Sequence, residues 1–128
     1  MKEVAAAIIV EHGKVLIARR RPGQILEGHW EFPGGKLEPN ETVQECIVRE
    51  LHEELGIGVT AGEVLTHSIY EYPGGAIKLI AIYAEVKSGE VKLSVHDALD
   101  WVYPLELRET RLAPADIRIA EEVILRHA

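Results

Sequence analysis

The stretch Gly35-Lys36-Leu37-Glu38-Pro39-Asn40-Glu41-Thr42-Val43-Gln44-Glu45-Cys46-Ile47-Val48-Arg49-Glu50-Leu51-His52-Glu53-Glu54-Leu55-Gly56-Ile57 decides how this chain is organised. Thr42 with Glu45 one turn later is a capping-box pattern, which starts a helix near Thr42. Gly56 stops it as a C-terminal glycine does. Glu50, Glu53 and Glu54 then sit at i, i+3 and i+4, so one helix brings three carboxylates together.

An acid-rich helix is ordinarily a solvated face. The phase of this one argues otherwise. At about 100° per residue with Val43 as zero, Cys46, Ile47 and Leu51 fall near −60°, 40° and 80°, and Glu50 and Glu54 near −20° and 20°. The two acids therefore lie inside the apolar stripe, while Glu45, Val48 and His52 take the opposite side. Carboxylates aimed at the protein body need partners, because unpaired burial costs several kcal/mol. A divalent cation meets that need, and a hard ion held by carboxylates and substrate phosphates is the usual Mg²⁺ arrangement.

The pattern Gly35, Glu41, Arg49-Glu50-Leu51, Glu53-Glu54 and Gly56-Ile57 resembles the Nudix box at every defining position. The likeness extends to Arg19-Arg20, to Trp30-Glu31-Phe32-Pro33-Gly34-Gly35-Lys36 and to Leu112-Ala113-Pro114-Ala115-Asp116-Ile117. These segments are similar to the MutT-type branch, which includes oxidised-guanine triphosphatases and CTP pyrophosphohydrolases. The resemblance implies an α/β fold, the Nudix α/β/α sandwich, with a mixed β-sheet between helices.

Composition is consistent with that class. A chain of 128 residues fits one domain, 1–128, and is long enough to bury a sizeable core. The net charge of −7 argues against a nucleic-acid surface, yet not against a free nucleotide whose metal supplies positive charge. Cys46 is the only cysteine, so no internal disulfide forms, and its place on the apolar stripe marks it as a small core residue. Val4–Val10 reads as a buried strand rather than a leader, and no run reaches the length of a membrane span. A cytoplasmic protein, acting on a small-molecule nucleotide without nucleic-acid or membrane partners, as monomer or homodimer, is expected.

Along the chain, Val4–Val10 and Lys14–Arg19 are β-rich and joined by Glu11-His12-Gly13 as a hairpin. Arg21–His29 is a polar loop able to close over a ligand, and Trp30–Phe32 is a short strand. Val64–Tyr70 and Ala76–Val86 form strands around Pro73-Gly74-Gly75, followed by a strand over Leu99–Tyr103. Pro114 opens a second amphipathic helix.

The resemblance assigns roles residue by residue. Glu50, Glu53 and Glu54, with the backbone of Gly34, match the family's ligands for Mg²⁺, with Mn²⁺ as a possible substitute. Arg49 and Glu41 match its supporting network, and a planar guanidinium suits a bidentate grip on a carboxylate. Arg20, Phe32 and Asp116 match substrate-binding positions, and Lys36 is a further candidate for phosphate contact. The family's reaction is attack on a bridging phosphoanhydride, releasing a nucleoside monophosphate and pyrophosphate. An ionised Asp116 only accepts hydrogen bonds, which suits both the N4 amino group of cytosine and the N7–H of oxidised guanine. Oxidised (d)GTP, 8-oxo-dGTP, is the first expectation and CTP or a modified dCTP the second. Another nucleoside diphosphate derivative, or a non-catalytic nucleotide-binding module, are the remaining alternatives.

One departure stands out. Many MutT-type chains carry a glutamate where this one has Val95, six residues ahead of Trp101. Valine neither ligates metal nor accepts a proton, so the general base falls to Glu53 or Glu50, with His96 and Asp97 as neighbouring candidates.

Overall fold

The computed structural model describes residues 1–128. In chain order the elements are β1 (Lys2–Ile8), β2 (Val10–Glu11), β3 (Lys14–Arg20), β4 (Trp30–Glu31), β5 (Gly34–Lys36), α1 (Val43–Leu55), β6 (Gly58–Tyr72), β7 (Gly75–Ser88), β8 (His96–Val102), a 3₁₀ helix (Pro104–Glu109) and α2 (Pro114–His127).

Successive residues of β1 are buried in opposite directions. Ala6 and Ile8 join Leu79 and Ala81 of β7 in a core under α2, with Ile119, Ala120 and Val123. Ala5 and Ala7 join Ile80 and Ile82 in a second core under α1, with Cys46, Ile47, Leu51 and Leu55. A strand buried on both faces reads as a continuous apolar run rather than an alternating one. Each large side chain so enclosed contributes about 1.5–3 kcal/mol. The expected mixed sheet between helices is thus present, in the order β5-β1-β7-β6, with β1 and β7 parallel and the other pairs antiparallel.

A second, antiparallel sheet is built around β3, which pairs with β8 along one edge and with β2 and β4 along the other. It corrects the expected hairpin. Val4–Val10 is not one arm of it: β1 ends at Ile8, and only β2 turns back onto β3, through His12 and Gly13 at φ 52° and 77°. Both neighbours of the break are apolar, so no change of periodicity marks the switch between sheets.

Helix α1 has both halves of the expected capping box, with Thr42 accepting from the Glu45 N–H at 3.1 Å and Glu45 accepting from the Thr42 N–H at 2.9 Å. Gly56 closes it at φ 70°, the left-handed conformation that glycine enters freely. Strands β6 and β7 run longer than the expected segments, and β8 begins at His96 rather than Leu99. No helix is long and apolar enough to cross a membrane.

Candidate active site

Helix α1 and the Pro33-Gly34-Gly35 turn meet at close quarters because two side chains are missing. A Cβ on Gly34 would overlap the Ala5 carbonyl, and one on Gly35 would overlap the Glu50 carboxylate. Strand β5 pairs Gly34 with Ala6 and Gly35 with Ala5, which presses the turn between β1 and the acid face of the helix.

Arg49 organises that face. Its Nε and Nη2 donate to Oε2 and Oε1 of Glu41 at 2.7 and 2.9 Å, its Nη1 to Glu50 Oε1 at 2.7 Å, and its Nη2 to the Lys36 carbonyl at 3.1 Å. The guanidinium beside Glu41 holds that carboxyl down to about 2. Glu53, more than half exposed, makes only a longer contact with Arg49 Nη1 at 3.3 Å. Glu54 faces inward, and its Oε2 is buried without any hydrogen-bond partner. Burial first, then the hydrogen bond and charge of the adjacent Glu50, and last the Glu31 charge, push its carboxyl up to about 8.

The expected three-glutamate set is therefore only partly assembled. Glu50 and Glu54 turn toward the Gly34-Gly35 side, Glu53 turns out to Arg49, and no three acidic or imidazole groups are gathered around one point. An orphaned buried carboxylate oxygen beside a second carboxylate still suits a small divalent cation, since hard oxygen donors are what such an ion takes.

A cleft of about 770 Å³ joins this region to a second one, and is lined by Gly34, Gly35, Glu54, Arg20, Glu31, Phe32, Tyr72 and Asp116 among others. That volume falls within the range of small-molecule sites. Asp116 lies in the first turn of α2 but does not cap it. Its Oδ2 instead accepts the Phe32 N–H at 3.0 Å, and the side chain is buried. Burial, with the Glu31 charge added, raises the Asp116 carboxyl to about 8. That favours the protonated form over the ionised acceptor expected from the sequence. In that form, with Oδ2 engaged by Phe32, Oδ1 is the oxygen free to donate.

The start of α2 is pinned from two sides. The Ala113 N–H donates to the Trp30 carbonyl at 2.8 Å, Ser68 Oγ donates to the Ala115 carbonyl at 3.1 Å, and the Ala115 N–H donates to Tyr72 Oη at 3.2 Å. These contacts link residues far apart in the chain, and no local pattern announces Ser68 or Tyr72.

The other expected site residues separate clearly. Arg20 lines the cleft, its Nε donating to the Ile25 carbonyl at 3.0 Å and its Nη1 to Glu31 Oε2 at 3.4 Å. Arg19 points elsewhere, to Asp97 at 2.8 Å and over the Trp30 ring. Phe32 is a core residue that also faces the cleft, whereas Trp30 stays outside it. Lys36 is exposed and outside the cleft lining. His96 is fully buried and hydrogen-bonded to Glu31 at 2.8 Å, so it does not reach the cleft as a base, and Asp97 is engaged by Arg19. Val95 is half-buried in the bend before β8. Glu31, on β4 and within the Trp30–Lys36 segment, lines the cleft, although the sequence reading gives it no role.

Similarity to known proteins extends over most of the chain. Residues 1–123 match the model of the NUDIX domain. The chain is 44% identical over 121 residues to the CTP pyrophosphohydrolase of Escherichia coli (strain K12), covering 94% of this chain and 90% of that one. It is 44% identical over 77 residues to the 8-oxo-dGTP diphosphatase of Proteus vulgaris, covering 59% of this chain and 69% of that one. Its fold superposes on the solution structure of the E. coli ORF135 protein with a TM-score of 0.87 and 42% identity, covering 100% of this chain and 91% of that one. The chain belongs to the NUDIX family and is a Nudix hydrolase of the MutT-like, pyrophosphohydrolase kind.

Proposed function

We propose that the chain hydrolyses a nucleoside triphosphate at an internal phosphoanhydride, releasing a nucleoside monophosphate and pyrophosphate. The observation that carries this reading is the single cleft shared by Gly34, Gly35 and Glu54 at the acid helix and by Phe32 and Asp116 at the start of α2. Phosphates and base can be held in one pocket.

Glu50, Glu53 and Glu54, with the Gly34 backbone, would hold Mg²⁺ or Mn²⁺, which when bound polarises phosphate oxygens and lowers the pKa of a water. Arg49 and Glu41 position Glu50 through the short hydrogen bonds of the network. Glu53 is the general base of this proposal, because Glu50 is locked by Arg49 at 2.7 Å and Glu53 is exposed and loosely held at 3.3 Å. Arg20 contacts the substrate, Phe32 offers an apolar face to the base, and Asp116 reads its edge. Lys36 serves at most through an outer phosphate contact from the surface.

For the base, a cytosine triphosphate moves ahead of oxidised dGTP. Similarity to the CTP pyrophosphohydrolase extends over nearly the whole chain, and a protonated Asp116 offers a donor that cytosine N3 can accept. Oxidised dGTP is the second reading, favoured by the partial match to the 8-oxo-dGTP diphosphatase. The test is a panel of CTP, dCTP, UTP, dGTP, 8-oxo-dGTP and ADP-ribose with Mg²⁺, products resolved by chromatography. CTP or dCTP should show the highest kcat/KM; preferred cleavage of ADP-ribose would overturn the triphosphate reading.

A further inference from the structure

Helix α2 begins without a local cap. Ala113 stands at its N-cap and makes no side-chain hydrogen bond, and Pro114 follows with no N–H to satisfy. Asp116 could serve the first turn from its third position, but its Oδ2 is engaged by the Phe32 N–H at 3.0 Å. The Asp116 N–H closes onto the Ala113 carbonyl at 2.9 Å. That leaves the Ala115 N–H, one of the donors a helix start cannot satisfy internally. Its partner comes from another element, Tyr72 Oη on β6 at 3.2 Å. Four residues back on the same strand, Ser68 is buried and its Oγ donates to the Ala115 carbonyl at 3.1 Å. Both main-chain groups of the residue before Asp116 are therefore held from β6.

The register of the sheet makes this grip possible. Ser68 pairs with Leu79 and Tyr72 with Gly75, so both side chains leave the sheet on the face that carries Leu79 into the core under α2. The Tyr70 ring packs on that of Tyr72 with centroids 4.7 Å apart, which steadies the phenol. Tyr72, Ala115 and Asp116 all line the cleft. On the other side the same turn is tied to the Trp30 carbonyl through the Ala113 N–H at 2.8 Å, and to Phe32 through Asp116. A serine at position 113 would cap the helix wherever the helix lay. A cap borrowed from β6 also fixes where the turn sits relative to Phe32. We propose that Ser68 and Tyr72 are positioning residues of the cleft, which hold the first turn of α2 through Ala115 and so aim the Asp116 carboxyl. The inference rests on the reading that Asp116 meets the substrate, and it gives Ser68 and Tyr72 no contact with the reacting phosphates.

The experiment compares the full chain with Tyr72→Phe and Ser68→Ala after thermal melts confirm folding. Tyr72→Phe keeps the ring and removes only the oxygen. Amide hydrogen exchange needs no substrate, and the Phe32 N–H reports on the aim of Asp116. In Tyr72→Phe it should exchange about tenfold faster than in the parent, together with the Ala115 N–H. With CTP and Mg²⁺ the loss should fall on KM rather than kcat, by about tenfold, the low end for removal of an orienting partner. Ser68→Ala should shift KM in the same direction. In an Asp116→Ala background Tyr72→Phe should add less than about twofold, since residues acting through one group are not additive. Ala113→Ser added to Tyr72→Phe supplies a local cap; it should recover Tm without recovering KM. Recovery of Tm and KM together would reduce Tyr72 to a helix cap and overturn the proposal. An unchanged Phe32 exchange rate, or the full Tyr72→Phe loss in the Asp116→Ala background, would overturn it as well. Absence of pyrophosphate release by the unmodified protein would instead remove the substrate reading, while exchange at Phe32 would still decide the positioning.

Discussion

Arg49 grips Glu41 through two parallel hydrogen bonds, Nε to Oε2 at 2.7 Å and Nη2 to Oε1 at 2.9 Å, while its remaining nitrogen holds Glu50. A lysine carries the same charge but cannot span two carboxylates in that fixed plane. Arg49→Lys is therefore expected to fold yet lose about 10- to 100-fold in activity or metal affinity, the usual cost of removing a group that orients a ligand. Mg²⁺ titration of the turnover rate checks it. Wild-type behaviour in Arg49→Lys would mean that charge alone, without the fork, suffices.

Glu54 makes the opposite trade. Its Oε2 is buried and unpaired beside Glu50, an arrangement that destabilises the metal-free protein. Glu54→Gln removes a buried carboxyl that desolvation and Glu50 make costly to ionise. In chelator the variant is expected to melt at a higher temperature than the parent, and in Mg²⁺ to lose more than about 100-fold in turnover, exceeding an outer-shell loss. Added Mg²⁺ should raise the parent's Tm and leave that of Glu54→Gln almost unmoved. A Tm rise of equal size in both proteins would remove Glu54 from the ligand set.

Asp116 yields a pH-dependent expectation. Its carboxyl in the folded protein titrates at about 8, above the ordinary value of about 3.9. The folded state thus prefers the protonated form, and stability falls as pH rises from the ordinary value through the folded one. An asparagine at this position cannot ionise, and it keeps an acceptor for the Phe32 N–H. Asp116→Asn should raise Tm relative to the parent at pH 9 and show a clearly smaller gain at pH 5. An identical offset at both pH values would contradict a buried, titrating Asp116.

How far these features could be read in advance follows from how local each one is. The limits of α1 rest on Thr42, Glu45 and Gly56, all within the helix or beside it, and the inward phase of Glu50 and Glu54 is a count along one spiral. Those readings hold in the structure. The change of sheet after Ile8 has no local sign, because Ile9 and Val10 continue the apolar run. The Glu31–His96 pair joins positions 65 apart through the register of β3, and Ser68 and Tyr72 reach Ala115 across the sheet. Asp116 is legible as a position but not as a neutral group, since its protonation depends on burial supplied by Phe32 and α2. Glu53 shows the same limit: its spacing is plain, and its turn toward Arg49 is a matter of rotamer.

Val95 tests whether the helix acids suffice. It lies half-buried in the bend before β8, where the family's additional glutamate would stand. If Glu53 serves as base unaided, Val95→Glu should alter the metal dependence or the pH–rate profile without being needed for turnover. Glu53→Gln should then cost about 10²–10⁴-fold in kcat, the range for a general base. A Glu53→Gln variant within threefold of the parent would move that role elsewhere.

The central claim is internal cleavage of a nucleoside triphosphate in the cleft between α1 and the start of α2. Its most direct measurement is chromatography of the first products formed from CTP and from 8-oxo-dGTP with Mg²⁺, in the absence of any pyrophosphatase. The expected result is the nucleoside monophosphate and pyrophosphate in equal amounts, with nothing formed in excess chelator. A nucleoside diphosphate and orthophosphate as the first products, or full turnover without a divalent ion, would contradict it.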